Sequence, residues 1–378
     1  MRIIISAPFF FLVGSFLYMV IPGVMYSLGY LDVDFLVRAV SKHIHLAYHY
    51  ETILYDFVIM NVSFMLGYLF SILLIPAQPE SIRSMDDFPI SKLVIFCFLL
   101  IVGLISIFKV VMIGVIPFSG YQFDPILLGP LATSCFTAIW FFHYTKSKRF
   151  IFLFILTAFW LIGLGSRMFV FLPILSLLIY MLLYNGRGSV KVILLFILSV
   201  VAFVFVGVLR QGWDLNVQSF LGIIFAEPIF TSLGSLYYID SGRDVVNIPY
   251  DLIASVVNFV PSFIFPQKTE IINAMTYSDR IYNPMGAQSL VVSLYHNFGM
   301  LYPLFLLLLG CYFGFLYRYS GNRFYEAVYL SSLPFLLVHF HREGFVTSTK
   351  VLFFNGFIFP LVVITILKFF LSKKPSYK

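Results

Sequence analysis

Long apolar runs separated by short polar segments fill most of the chain. A helix needs about 20 mainly apolar residues to cross the hydrocarbon core of a bilayer, and this length predicts about ten membrane-spanning helices here. The predicted spans cover residues 3–22, 52–76, 93–113 and 125–143, two short spans within 150–184, and 191–209, 300–317, 325–340 and 348–371. We therefore expect an all-α, polytopic transmembrane protein.

One long segment, residues 210–299 between the seventh and eighth predicted spans, departs from this pattern. It carries charged side chains along its whole length. A long polar segment between spans is a common location for function, so we predict that this large loop covers a site at the membrane face. We treat residues 1–378 as a single integral membrane domain that contains this loop.

Two apolar stretches are interrupted. The run 150–184 is too long for one helix and is broken by the Gly-Ser-Arg sequence that ends at Arg167, so we predict two short spans that meet there. Within the loop, the apolar stretch 215–239 contains Glu227, Pro228 and several small residues. We therefore predict short helices at 218–238 and 249–265 that lie in the membrane plane or re-enter it, rather than a further span.

Composition and charge agree with a membrane protein. The chain is 61% hydrophobic and 11% charged, whereas a soluble domain is nearer a quarter charged. The net charge of +7 does not indicate nucleic acid, because the basic residues are distributed among short loops between apolar runs. The positive-inside rule then predicts that both termini are cytoplasmic and that residues 210–299 are extracytoplasmic.

Known cofactor and metal motifs are absent from the sequence. The three cysteines, Cys97, Cys135 and Cys311, lie far apart in apolar runs, which excludes a disulfide framework and a cysteine metal spacing. The chain has no phosphate-binding loop, no Gly-rich dinucleotide turn and no nucleophile elbow. We expect neither a cofactor nor a metal.

The arginines predicted to lie outside are the most informative charged residues. Guanidinium groups suit bidentate contacts with phosphate, and an arginine near the lipid face needs an anionic partner or water. The alternative is that each arginine pairs with a nearby carboxylate or a lipid headgroup. That alternative is weakest for Arg167 and Arg342, which lie in very short turns between spans. The candidate pyrophosphate-binding residues are Arg167, Arg210, Arg243, Arg280 and Arg342.

Histidines at the predicted membrane boundary are candidates for proton transfer. His296, His339 and His341 have no metal-binding spacing, and the alternative for each is an interfacial histidine held by hydrogen bonds. Tyrosines nearby, including Tyr295, are candidates for stacking on sugar rings.

Three places in the chain resemble the Wzy-type O-antigen polymerases. They are the Gly-Ser-Arg break at 165–167, the segment 260–268, and the run 289–299, which contains Tyr295 and Asn297 and is followed by Arg342 after the next spans. The chain departs from the expected pattern at position 293, where serine replaces an acidic residue.

The resemblance implies a metal-independent membrane glycosyltransferase of the GT-C type in the bacterial inner membrane. Such an enzyme transfers a growing glycan from undecaprenyl pyrophosphate to the next lipid-linked repeat unit at the periplasmic face. The donor and acceptor glycolipids, membrane lipid and a chain-length regulator protein would be its partners. His296, His341 and Glu343 are then candidates for the base that activates the acceptor hydroxyl, and Tyr295 and Asn297 for substrate contacts.

Two other classes stay open. An O-antigen ligase shares the layout and chemistry but uses a lipid A core as acceptor. A lipid-linked oligosaccharide flippase would also bind pyrophosphate, but it should show an internal repeat and charged residues within its spans. Lys109 is the one residue that we interpret from the sequence as a charge within a predicted span.

Overall fold

The computed structural model describes residues 6–27, 48–76, 92–114, 125–184, 189–212, 214–242, 248–260, 264–275 and 288–372, and within these ranges the chain is helical and contains no strand. The first eight helices are α1 (Ala7–Ser27, with a π-helical turn at Phe16–Val20), α2 (Tyr50–Leu74), α3 (Lys92–Met112), α4 (Pro125–Thr145), α5 (Arg149–Gly163), α6 (Met168–Tyr184), α7 (Ser189–Gln211) and α8 (Val217–Asp240). The others are α9 (Tyr250–Phe259), α10 (Lys268–Met275), α11 (Leu290–Phe298), α12 (Tyr302–Tyr319), α13 (Arg323–Leu337), α14 (His339–Arg342) and α15 (Phe345–Phe370, with a π-helical segment at Lys350–Ile358).

Many of these helices have the length and composition of membrane spans. Among the described residues, seven segments are long and apolar enough to cross a bilayer. They are α1, α2, α3, most of α7, α8, α11 together with α12, and α15. The prediction of a polytopic helical protein is confirmed at this level, whereas the number of ten spans stays a prediction.

The predicted break near Arg167 is present. Helix α5 ends at Gly163, and α6 begins at Met168. Gly165 lies between them with φ of +85°, a left-handed conformation that glycine adopts more readily than other residues. The long apolar run therefore forms two short helices, as the sequence predicts.

The first predicted loop helix, 218–238, is present as α8, and its in-plane or re-entrant placement stays a prediction. Glu227 and Pro228 lie inside α8, which is one continuous helix of 24 residues and meets the criteria for a membrane span. Two-thirds of its most apolar 18-residue window is buried within the protein. Proline is tolerated inside such helices where neighbouring groups satisfy the freed backbone carbonyl. The second predicted loop helix is present as the short helix α9.

The described residues cluster into two compact units, whereas the sequence predicted a single membrane domain. The first unit contains the described parts of 1–75, 204–315 and 333–350, and the second contains those of 76–203, 316–332 and 351–378. Helices α1, α2, α8 to α11 and α14 lie wholly in the first unit, and α3 to α6 lie wholly in the second.

In the first unit, α2 and α12 approach each other closely along two rows of small residues. A Cβ atom placed on Gly67 would lie 1.9 Å from the carbonyl oxygen of Leu307, and one placed on Gly310 would lie 2.1 Å from that of Phe64. The Ser71 hydroxyl donates a hydrogen bond across the same crossing to the Cys311 carbonyl, at 2.8 Å. Small residues four positions apart allow this backbone contact between membrane helices.

The second unit has a buried polar core of its own. The Ser176 hydroxyl donates to the Leu330 carbonyl at 2.9 Å and lies 2.7 Å from Nε2 of His143, which therefore donates to Ser176. At one end of α4, the Lys146 ammonium pairs with Glu326 at 3.1 Å and stands 4.4 Å from the ring centroid of Tyr180. These contacts satisfy polar groups that would otherwise be costly in an apolar interior.

Candidate functional site

The first unit contains a charged cluster around Arg342, the last residue of α14. Its guanidinium Nη2 lies 3.4 Å from Oε1 of Glu227, and its Nη1 lies 3.7 Å from Oε1 of Glu343. The three side chains keep 22%, 27% and 26% of their surface exposed, in the order Arg342, Glu227, Glu343. The cluster is therefore shielded but open to a ligand, and with one cation and two carboxylates it carries a net charge of −1 when all three groups are ionised.

Glu227 and Arg342 come from helices that are far apart in sequence but in contact in the fold. Glu227 lies near the middle of α8, and α8 packs against α14 and against the π-helical turn of α1. A carboxylate in the middle of an apolar helix needs a charged or hydrogen-bonding partner. Arg342 supplies that partner, so the ion pair joins α8 to the turn between α13 and α15.

His341 holds the turn that carries Arg342. Its Nε2 lies 2.9 Å from the Leu336 carbonyl, which can only accept, so this nitrogen carries the proton. Its ring is buried and lies 5.1 Å from the ring centroid of Phe11 and 6.0 Å from that of Tyr18. Burial lowers the pKa of His341 to about 3, so the imidazole is neutral. We assign His341 to positioning Arg342, whereas the sequence placed it among the candidate bases.

Helix α11, which carries the predicted substrate residues Tyr295 and Asn297, is held by carboxylates from two other helices. The Tyr295 hydroxyl donates to Oδ1 of Asp56 at 2.6 Å, and the Tyr302 hydroxyl donates to the same oxygen at 3.0 Å. Asp56 lies in α2 and is buried. The polar atom of Tyr295 is thus used to bind α2, and Asp56 is a charged residue within a candidate span that the sequence analysis missed.

The second carboxylate comes from α9. Asn297 donates through Nδ2 to Oδ2 of Asp251 at 2.9 Å and accepts from the Asp251 backbone N–H at 3.0 Å. Asp251 is buried, and burial raises the pKa of its carboxyl to about 6, although the hydrogen bond from Asn297 opposes this rise. His296, between Tyr295 and Asn297, is buried as well. Acidic groups therefore do reach this run, from α2 and α9, although position 293 is serine.

The predicted arginines do not all fall within the first unit or within the described residues. Arg167 belongs to the second unit, where Nη1 donates to the Phe203 carbonyl at 3.2 Å and the guanidinium carbon stands 4.7 Å from the Phe203 ring centroid. Arg243 and Arg280 lie outside the described residues, as does the side chain of Arg210. The convergence of Arg167 with Arg342 stays a prediction.

The sequence offered a signal for Glu227 and Asp56 that we did not use. Each is a lone carboxylate within an apolar stretch of span length. Ionisable residues in such places are rare and commonly functional or paired. We interpreted Glu227 as an interruption of the apolar stretch rather than as a paired charge, and we overlooked the carboxyl group of Asp56 within its apolar run.

Within the described part of the chain, no group of three or more His, Cys, Asp or Glu side chains could hold a metal ion. Comparison with known proteins gives no match: no family model, no curated protein and no solved structure matches the chain. A functional proposal therefore depends on the geometry of the site together with the resemblance in the sequence.

Proposed function

We propose that the protein is a membrane glycosyltransferase that polymerises lipid-linked oligosaccharide repeat units, as the Wzy-type O-antigen polymerases do. The observation that supports this best is the partly exposed Glu227–Arg342–Glu343 cluster in the first helical unit. Such a cluster supplies carboxylate side chains, which can accept the proton of a sugar hydroxyl during glycan transfer.

The proposed chemistry is a single displacement at the anomeric carbon of the donor glycan. A carboxylate of Glu227 or Glu343 takes the proton of the acceptor hydroxyl, whose oxygen forms the new bond to the anomeric carbon. The bond from that carbon to the diphosphate oxygen breaks, and the diphosphate leaves with the electron pair. Arg342 orients both carboxylates through its two ion pairs.

This assignment changes the role of Arg342. A guanidinium that already faces two carboxylates has little attraction left for a diphosphate, since the cluster as a whole is negative. We therefore propose that Arg342 orients the base, and that other cations hold the leaving group. The rest of the proposal keeps the ten spans, the GT-C type of fold, a bacterial inner membrane location, cytoplasmic termini and a chain-length regulator as a partner.

The test uses a strain in which the gene is deleted and restored with single variants at matched protein level. We expect the deletion to leave lipopolysaccharide with one repeat unit on the core, which identifies a polymerase. Glu227→Gln and Glu343→Gln remove one carboxylate each, and we expect the variant that lacks the base to lose long chains. Gly129→Ala, a change with open space around the added Cβ, serves as the control.

The outcome also separates the alternative functions. A deletion strain that attaches no repeat unit to the core indicates a ligase or a flippase. Full-length chains from both glutamine variants and from the double variant would exclude the cluster as the source of the base.

A further inference from the structure

The cations of the first unit divide into two groups. Its described side chains include three lysine or arginine residues, Lys268, Arg342 and Lys350. Arg342 is compensated by Glu227 and Glu343. The other two lie within electrostatic range of each other, so their positive charges add rather than cancel.

Helix α9 packs against both elements that carry these two lysines. Helix α9 lies against α10 and against the first turn of α15. Lys268, the first residue of α10, donates from Nζ to the carbonyls of Asn258 and Val260 at the end of α9, at 3.4 and 2.8 Å. Lys350 directly follows the first turn of α15. Helix α9 therefore contacts both elements that carry these lysines, and the end of α9 holds the Lys268 ammonium group.

Neither ammonium group has a carboxylate partner among the described residues. Within the described residues the buried Lys268 side chain bonds only to carbonyl oxygens, and burial lowers the pKa of its ammonium group. Lys350 is partly buried and has no ion pair or side-chain hydrogen bond within the described ranges. Glu270 is close to Lys268 in sequence, but residues two apart on a helix do not face each other.

Two shielded like charges are costly unless an anion joins them. Lysine is a common phosphate ligand and binds as a point charge. We propose that Lys268 and Lys350 form a binding site for the phosphate or diphosphate group of a membrane lipid. The expected occupant is the diphosphate of the lipid-linked donor, so the identity of the ligand, but not the existence of the site, rests on the proposed function.

The test measures binding to the purified full chain in nanodiscs of phosphatidylcholine, a lipid without net charge. Farnesyl diphosphate is the soluble probe in one arm, and nanodiscs that contain phosphatidylglycerol form the other. Lys350→Met keeps the length of the side chain and breaks no hydrogen bond within the described residues. Lys350→Gln is a second variant in case the first does not fold, and thermal unfolding checks both. Lys109→Met, an exposed lysine in α3, is the matched control.

We expect Lys350→Met to weaken farnesyl diphosphate binding by about tenfold, the loss of roughly one charge-assisted contact. The Lys109→Met control should bind as the unaltered protein does. Unchanged affinity in both folded Lys350 variants would overturn the site. If phosphatidylglycerol displaces the probe completely and in a Lys350-dependent way, the phosphate site stands and its occupant is an ordinary phospholipid. If the probe binds through Lys350 while the polymerisation assay fails, the proposed function is wrong and the site is not.

Discussion

The crossing of α2 and α12 gives the sharpest prediction about stability, because it depends on backbone atoms that cannot change rotamer. Gly310→Ala would place a Cβ atom 2.1 Å from the Phe64 carbonyl oxygen, and Gly67→Ala would place one 1.9 Å from that of Leu307. Cβ atoms are essentially never found closer than 3.0 Å to another atom. The two helices must therefore separate by about 1 Å to accept either methyl group.

The expected cost follows from three contributions. Overpacking costs about 1–3 kcal/mol, and contact with rigid backbone places these changes at the upper end. The Ser71 to Cys311 hydrogen bond, now 2.8 Å, would lengthen beyond bonding distance, and such a bond contributes about 0.6 kcal/mol in a membrane protein. Alanine is favoured over glycine in a helix by about 1 kcal/mol, which offsets part of the loss. We expect a net destabilisation of about 2–3 kcal/mol for Gly310→Ala.

The measurement is unfolding of the detergent-solubilised protein by increasing dodecyl sulfate, monitored by circular dichroism. Gly129→Ala in α4 is the control, because nothing lies within 4 Å of its added Cβ atom. That variant should be neutral or slightly more stable, through helix propensity alone. If Gly310→Ala and Gly129→Ala have the same unfolding midpoint, the close approach of α2 and α12 is not present in the folded protein.

Three further predictions follow from the polar contacts and from the topology. Burial raises the pKa of Asp251 to about 6, so the folded state favours the protonated carboxyl group. The stability of the protein, measured relative to the Asp251→Asn variant, should therefore increase as the pH falls through about 6, and this gain should disappear as the pH rises above that value. Equal pH profiles of the two proteins in chemical denaturation would contradict this. Tyr295→Phe should destabilise the protein by about 1–3 kcal/mol, since it removes a buried hydrogen bond to Asp56, whereas Tyr237→Phe on a partly exposed side chain should cost less in the same unfolding assay. A reporter fused at Lys378 should give a cytoplasmic signal, and an external signal would reverse the predicted orientation.

The sequence predicted those features that depend on local pattern. Apolar runs of span length and the Gly-Ser-Arg break before α6 could be identified because each depends on residues close together in the chain. The ion pair that Glu227 of α8 makes could not be identified, because its partner Arg342 comes from a distant segment. Pairing between residues separated by more than a hundred positions, such as Glu227 with Arg342, leaves no trace in one sequence.

The site residues show the same division between local and long-range information. Arg342 and Glu343 attracted attention because they lie in a short turn, and the structure places both in the charged cluster. The sequence does not show that Glu227 and Glu343 face Arg342, so pairing with a carboxylate was only the alternative and a phosphate clamp was the prediction. Asp56 and Asp251 were not recognised as partners of α11 for the same reason, since each reaches that helix from a separate part of the chain.

Glycan transfer from a lipid diphosphate needs opposite charges for its two partners, a carboxylate for the proton of the acceptor and cations for the departing diphosphate. Under the proposed function, these requirements correspond to two groups of residues in the first unit, the Arg342 cluster and the lysine pair. Arg342 and Lys350 are separated by a short extended link and the first residues of α15. At about 1.5 Å per helical residue and at most about 3.6 Å per extended one, their Cα atoms are at most about 18 Å apart. This upper limit is compatible with the proposed function, in which the base and the leaving-group site must both lie close to the same anomeric carbon.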